Sequence, residues 1–220
     1  MSKTAQEVGI EAEMAKAQPQ ASSPSRIYLL LYNAACAALW AYILLLSVPT
    51  WISAGTAQVY SAVEPWVRLT QSLAVAEILH AATGITRAPV FTTFTQVFAR
   101  SVQVWAINHA FPGVTAPSAG YPAMVTAWAL ADTVRYLYFA VMLAEFSIPR
   151  GLKWLRYSLF TVLYPVGIGS EWWLMYQATT ETSNWAVQAL FYFFLGLYIP
   201  GTVMMFSYML KQRRKMLASL

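Results

Sequence analysis

Six apolar stretches of about twenty residues each leave this chain few ways to fold. They lie at about 27–48, 66–86, 90–110, 123–146, 154–176 and 186–210. A bilayer core takes about 20 residues of α-helix to cross, and backbone in lipid must satisfy its own hydrogen bonds. The expectation is an all-α polytopic membrane protein, its six transmembrane helices forming one bundle. A four-span arrangement would leave some of the stretches, several of which hold polar residues, at the interface; six is the better count. Composition points the same way: of 220 residues, 58% are hydrophobic and only 10% charged, against about 25% charged in soluble domains.

Loop charge gives the orientation. Arg87, Arg150, Lys153, Arg156 and the tail cations Lys211, Arg213, Arg214 and Lys215 all fall on one side of a six-span arrangement. The opposite loops, PTWISAGTAQVYSAVEP, FPGVTAPSAGYP and QATTETSN, hold no lysine or arginine. Under the positive-inside rule both termini are cytosolic. The net charge of +5 thus reflects topology rather than nucleic-acid binding. Residues 1–25, rich in Ala, Gln, Ser and Glu, read as a disordered cytosolic tail. The domain spans 26–210, and a basic tail follows over 211–220. One cysteine, Cys36, and two histidines, His80 and His109, encode neither a disulfide framework nor a histidine-rich metal centre.

A charged side chain at mid-bilayer costs at least about 2.5–3.5 kcal/mol, so those within the spans call for a partner or a purpose. They are Glu77, Arg100, Asp132, Arg135 and Glu171, with Gln71, Gln96, Gln103 and His80 beside them. Gln96, Arg100 and Gln103 are spaced i, i+4, i+7, one polar stripe on the third span. Asp132, Arg135 and Tyr136 form another, and Asp132 with Arg135 suits a local i,i+3 pair whose role is only structural. Two arginines need more counter-charge than one aspartate supplies, and arginine is suited to holding a phosphate or a carbonyl oxygen. Packing would turn these stripes towards a shared interior.

The fifth stretch contains TVLYPVGIGSE, residues 161–171. On a regular helix Tyr164 and Glu171 lie on nearly one face, about 10.5 Å apart along the axis. Pro165 removes a backbone hydrogen bond, and Gly167 and Gly169 permit bending. The residues allow either a break that shortens the gap and makes room for a substrate, or a simple proline kink.

The segments AEILHAATGITRAPVFTTFTQVFARSVQVWAI (76–107), WALADTVRYLYF (128–139) and KWLRYSLFTVLYPVGIGSEWWLMY (153–176) resemble the membrane (3R)-3-hydroxyacyl-CoA dehydratases of very-long-chain fatty acid elongation, also called the protein-tyrosine-phosphatase-like family. With LYNAACAALWAY (31–42) and SYMLKQRRK (207–215), the likeness covers nearly everything after residue 26. It implies that Tyr164 and Glu171, in the Y-P-x-G-x-x-x-E motif with Gly167, are the catalytic pair. Glu77, Gln96, Arg100 and Arg135 correspond to the family's intramembrane polar positions. Asp132 stands where the family usually has glutamate. The implied reaction is dehydration of a (3R)-3-hydroxyacyl-CoA to the trans-2-enoyl-CoA, with no cofactor and no metal. Tyr164 is favoured as base, activated by an arginine, with Glu171 as acid or relay; the reverse assignment stays open. Arg100 and Arg135 would polarise the thioester carbonyl. Arg150, Lys153 and Arg156 are candidate contacts for the CoA phosphates, beside their role as a topology signal. The resemblance further implies an endoplasmic reticulum membrane location and three elongase partners: a condensing enzyme, a ketoacyl-CoA reductase and an enoyl-CoA reductase.

The family's other name prompts a second reading. HAATGITR (80–87) has the frame of a phosphatase loop, H-C-x5-R, but Ala81 replaces the nucleophilic cysteine. Without a thiolate there is no phosphocysteine chemistry. A catalytically inactive membrane scaffold that binds phosphoproteins is the alternative.

Overall fold

A computed structural model describes residues 23–218; most of the tail expected over 1–25, and residues 219–220, lie outside them. All regular elements among the described residues are helical. They are α1 (Ser23–Ala54), α2 (Thr56–Leu73), α3 (Val75–Ala82), α4 (Val90–Ser101), a π-helical segment (Val102–His109), α5 (Pro112–Thr115), α6 (Gly120–Leu143), α7 (Arg150–Ser158), α8 (Phe160–Glu181) and α9 (Trp185–Leu217). Two of them, α1 and α9, contain stretches long and apolar enough to cross a membrane, Pro24–Ala54 and Trp185–Leu217.

The fold is built around α6. Tyr121, Met124, Val125, Trp128, Ala129, Asp132 and Tyr136 are buried along it, and α1 and α8 pack against it. Trp40 and Ile43 of α1, Val59, Val63 and Val67 of α2, and Leu174, Met175 and Ala178 of α8 complete the core. Outward faces are apolar: Leu45, Ile52, Phe91, Val162, Ile199, Val203 and Met204 are exposed. Gln71, Gln103, Asp132 and Glu171 are buried. This distribution, apolar outside and partly polar within, suits lipid rather than water.

Two sequence expectations need correction. The stretch PTWISAGTAQVYSAVEP is no loop but helix on both sides of Gly55. Gly55 has φ 87°, a conformation open to glycine without Cβ strain, so one residue makes the whole turn. The basic segment 150–156 is likewise helical, as α7. Its three cations do not share an outward surface: Arg150 is exposed, whereas the Arg156 guanidinium lies 5.9 Å from the Phe139 ring and 5.6 Å from that of Tyr157.

For TVLYPVGIGSE, where a break and a simple proline kink were both open, the segment does not unwind. Helix α8 runs unbroken from Phe160 to Glu181 with Pro165 inside it. The interruption comes earlier, at Leu159 between α7 and α8. A Cβ on Gly167 would meet Trp128 at 3.7 Å and Ala127 at 3.8 Å. The glycine therefore marks ordinary close packing on α6 rather than an opening.

Candidate active site

The charged side chains of separate helices meet in a continuous chain. Arg135 of α6 binds Glu77 of α3 bidentately, Nη1 to Oε2 at 3.1 Å and Nη2 to Oε1 at 3.2 Å. Its Nε donates to Asp132 Oδ1 at 3.0 Å. The other Asp132 oxygen, Oδ2, forms a 2.7 Å ion pair with Arg100 Nη1 from α4. Tyr136 donates its hydroxyl hydrogen to Glu77. Two arginines thus face two carboxylates, and Asp132 bridges both cations, as a shorter carboxylate at that position still can.

Arg100 is also held between indoles. Its guanidinium carbon lies 4.0 Å from the centroid of Trp128 and 5.4 Å from that of Trp40, favourable cation–π placements. Its Nε and Nη2 are buried with no hydrogen-bond partner. Those donors are the groups in this region able to take a new acceptor, such as a carbonyl oxygen.

Glu171 sits differently. It takes part in no ion pair among the described residues. Trp128 Nε1 donates to its Oε1 at 2.8 Å, and the Tyr198 hydroxyl donates to its Oε2 at 3.0 Å. Both donors are neutral. Trp128 is the joint between the two regions, with its ring face on Arg100 and its N–H on Glu171.

Tyr164 lies on the same helix as Glu171, two turns earlier, and is half-buried. Its ring stacks on Phe206 of α9, centroids 6.1 Å apart. Thr202, one turn before Phe206 on α9, is the hydrogen-bonding neighbour of its hydroxyl. Because α8 is unbroken, the axial rise between Tyr164 and Glu171 stays at about 10.5 Å.

The structure brings Glu77, Arg100, Asp132, Arg135 and Glu171 together, with Gly167 beneath Trp128. It does not bring Gln96, which is exposed. Phe91, Phe94 and Phe98 of α4 are exposed as well, so the expected stripe is only partly inward. Gln103 is fully buried but serves elsewhere: its Nε2 donates to Asn108 Oδ1 at 3.1 Å across the π-helical segment. Two contributors went unnoticed in the sequence. Trp128 stands four residues before Asp132, on the same helical face. Tyr198 is one of several hydroxyls on its span, with Tyr192, Thr202, Ser207 and Tyr208, and nothing in the spacing sets it apart.

HAATGITR forms no phosphate cradle. Ala81 is buried inside α3, and Gly84, φ 73°, ends the helix with its N–H on Ala81 O at 3.2 Å. This is a helix stop of the left-handed kind.

Residues 71–219 match the family model described as protein tyrosine phosphatase-like protein, PTPLA. The chain belongs to this family. Family resemblance extends through most of the sequence. The chain is 36% identical over 212 residues to a protein of Oryza sativa subsp. japonica named very-long-chain (3R)-3-hydroxyacyl-CoA dehydratase PASTICCINO 2A, covering 90% of this chain and 96% of that one. A Schizosaccharomyces pombe protein, named a probable very-long-chain (3R)-3-hydroxyacyl-CoA dehydratase, is 36% identical over 191 residues, or 86% of this chain and 91% of its own. The Homo sapiens very-long-chain (3R)-3-hydroxyacyl-CoA dehydratase 2 is 30% identical, covering 87% and 81%. No solved structure matches.

Proposed function

We propose that this protein dehydrates (3R)-3-hydroxyacyl-CoA thioesters to trans-2-enoyl-CoA, the third step of very-long-chain fatty acid elongation. The names of its relatives supply the reaction class, and the seat of Glu171 supplies the observation that carries the site. Glu77 and Asp132 already balance Arg100 and Arg135. That leaves Glu171 as a buried carboxyl whose charge is not locked by a cation and which can exchange a proton during turnover.

In the elimination the C2–H bond breaks to a base and its electron pair becomes the C2–C3 π bond. The C3–O bond breaks, and the hydroxyl leaves as water with a proton from an acid. Tyr164 and Glu171 are the proposed pair, with Tyr164 the favoured base. Their axial separation requires the reacting carbons to lie between them. Arg100, through its free Nε and Nη2, would take the thioester oxygen as enolate character develops. Arg135 and Glu77 would hold Asp132, and through it Arg100, in place. The chemistry needs no cofactor. Arg150 and Lys153 on α7 are the better placed of the basic residues for CoA phosphates, since Arg156 faces aromatic rings.

We further propose six spans with both termini cytosolic, in the endoplasmic reticulum membrane, beside the condensing enzyme, ketoacyl-CoA reductase and enoyl-CoA reductase of elongation. The charge asymmetry of the loops supports this orientation. Arg68, near the opposite end, is paired with Glu64 at 3.2 Å.

The test is conversion of a long-chain (3R)-3-hydroxyacyl-CoA by purified protein in detergent, wild type against Tyr164→Phe and Glu171→Gln. Activity lost in both variants is the expected result; a folded wild type without turnover would overturn the reading.

A further inference from the structure

We propose that Tyr198 is the positioning residue for Glu171, and that α9 is therefore part of the active site rather than a peripheral anchor. This rests on the dehydratase reading above. It goes beyond it by assigning a role to a residue outside the motif.

Helices α8 and α9 run antiparallel in a single register. Trp172 Nε1 donates to Leu195 O at 3.3 Å, Tyr198 meets Glu171, and Thr202 and Phe206 meet Tyr164; one step further, Arg213 Nε donates at 3.2 Å to Ser158 Oγ at the end of α7. Leu195, Tyr198, Thr202 and Phe206 are spaced i, i+3, i+7, i+11, one face of α9. The same face thus touches both members of the proposed pair.

A carboxylate on a flexible glutamate stem must be held in one rotamer to act on a substrate atom. Trp128 of α6 fixes Oε1 and Tyr198 of α9 fixes Oε2, so two separate helices hold the carboxyl group. With a donor on each oxygen, rotation of the carboxyl group would break both bonds. Each oxygen keeps a further lone-pair site for the reacting proton. Trp128 is constrained by its packing on Arg100. Tyr198 is the contact that depends on α9 alone.

The experiment compares steady-state kinetics of the full-length wild type, Glu171→Gln and Tyr198→Phe on one (3R)-3-hydroxyacyl-CoA, with thermal unfolding in the same detergent. In Tyr198→Phe, kcat should fall about 10–100-fold, the worth of a hydrogen bond to a charged group. KM should stay within about twofold. A kcat within about twofold of wild type would overturn the proposal while Glu171→Gln, inactive, leaves the dehydratase reading standing. Wild type without turnover would overturn both. Replacement of Tyr198 by 2,3-difluorotyrosine keeps ring and hydroxyl, so folding is preserved while donor strength changes. It should displace the pH–rate profile of kcat, and an unmoved profile would count against a positioning role.

Discussion

Two kinds of carboxylate flank Trp128, Asp132 one turn along its own helix and Glu171 across on α8, and they are held in opposite ways. Asp132, with Glu77 behind it, is tied to guanidinium groups by charge. Glu171 receives only the N–H of an indole and the O–H of a phenol. Both are buried, so the difference is not depth. A carboxylate between two arginines is fixed in its charge, and removing it strands cations in the interior. A carboxylate held by neutral donors can change protonation without leaving an unpaired charge beside it. The first arrangement is suited to architecture, the second to proton transfer.

The largest expected effect separates the two directly. Glu171→Gln should lower turnover by about 10²–10⁴-fold, the range for a lost acid or base, while unfolding temperature in detergent changes little. Asp132→Asn should do the reverse in emphasis, with a stability loss of about 3–5 kcal/mol from breaking a buried ion pair. Thermal or denaturant unfolding of the two variants side by side would break the comparison if Glu171→Gln proved the less stable.

Trp128→Phe sharpens the boundary, because it keeps a ring against Arg100 and removes the donor to Glu171. A fall in kcat of about tenfold is expected, with a stability loss of about 1 kcal/mol for one hydrogen bond. Equal losses in Asp132→Asn and Trp128→Phe would mean that the two regions act as one unit. Gly167→Ala should have the smallest effect. The added methyl would sit at 3.7–3.8 Å from Trp128 and Ala127, and helix propensity favours alanine by up to about 1 kcal/mol. Unfolding of the variant at or slightly above the wild-type temperature is the expected outcome. A marked loss would show that α6 and α8 approach too closely there for a side chain.

Much of this was legible in the chain. Helical class follows from the apolar stretches, since the backbone of a lipid-facing segment has few other ways to satisfy itself. The cost of burying charge singled out Glu77, Arg100, Asp132, Arg135 and Glu171, and all five converge. Local irregularity was harder to read. Pro165 with two glycines left a break and a simple kink both open, and α8 runs unbroken through them. The turn fell instead on Gly55, inside a stretch that resembled a loop.

By itself the sequence determined that the chain is helical, that its interior is partly charged, and which side chains carry that charge. It could not assign partners. The bonds Arg135–Glu77, Trp128–Glu171 and Tyr198–Glu171 join residues 58, 43 and 27 positions apart. Each depends on how two separate helices are rotated and slid against one another. Periodicity gives the face of a helix that turns inward, but only packing sets which residue it meets. The tertiary structure therefore decided that two carboxylates neutralise the arginines and that the third, Glu171, is left to neutral donors.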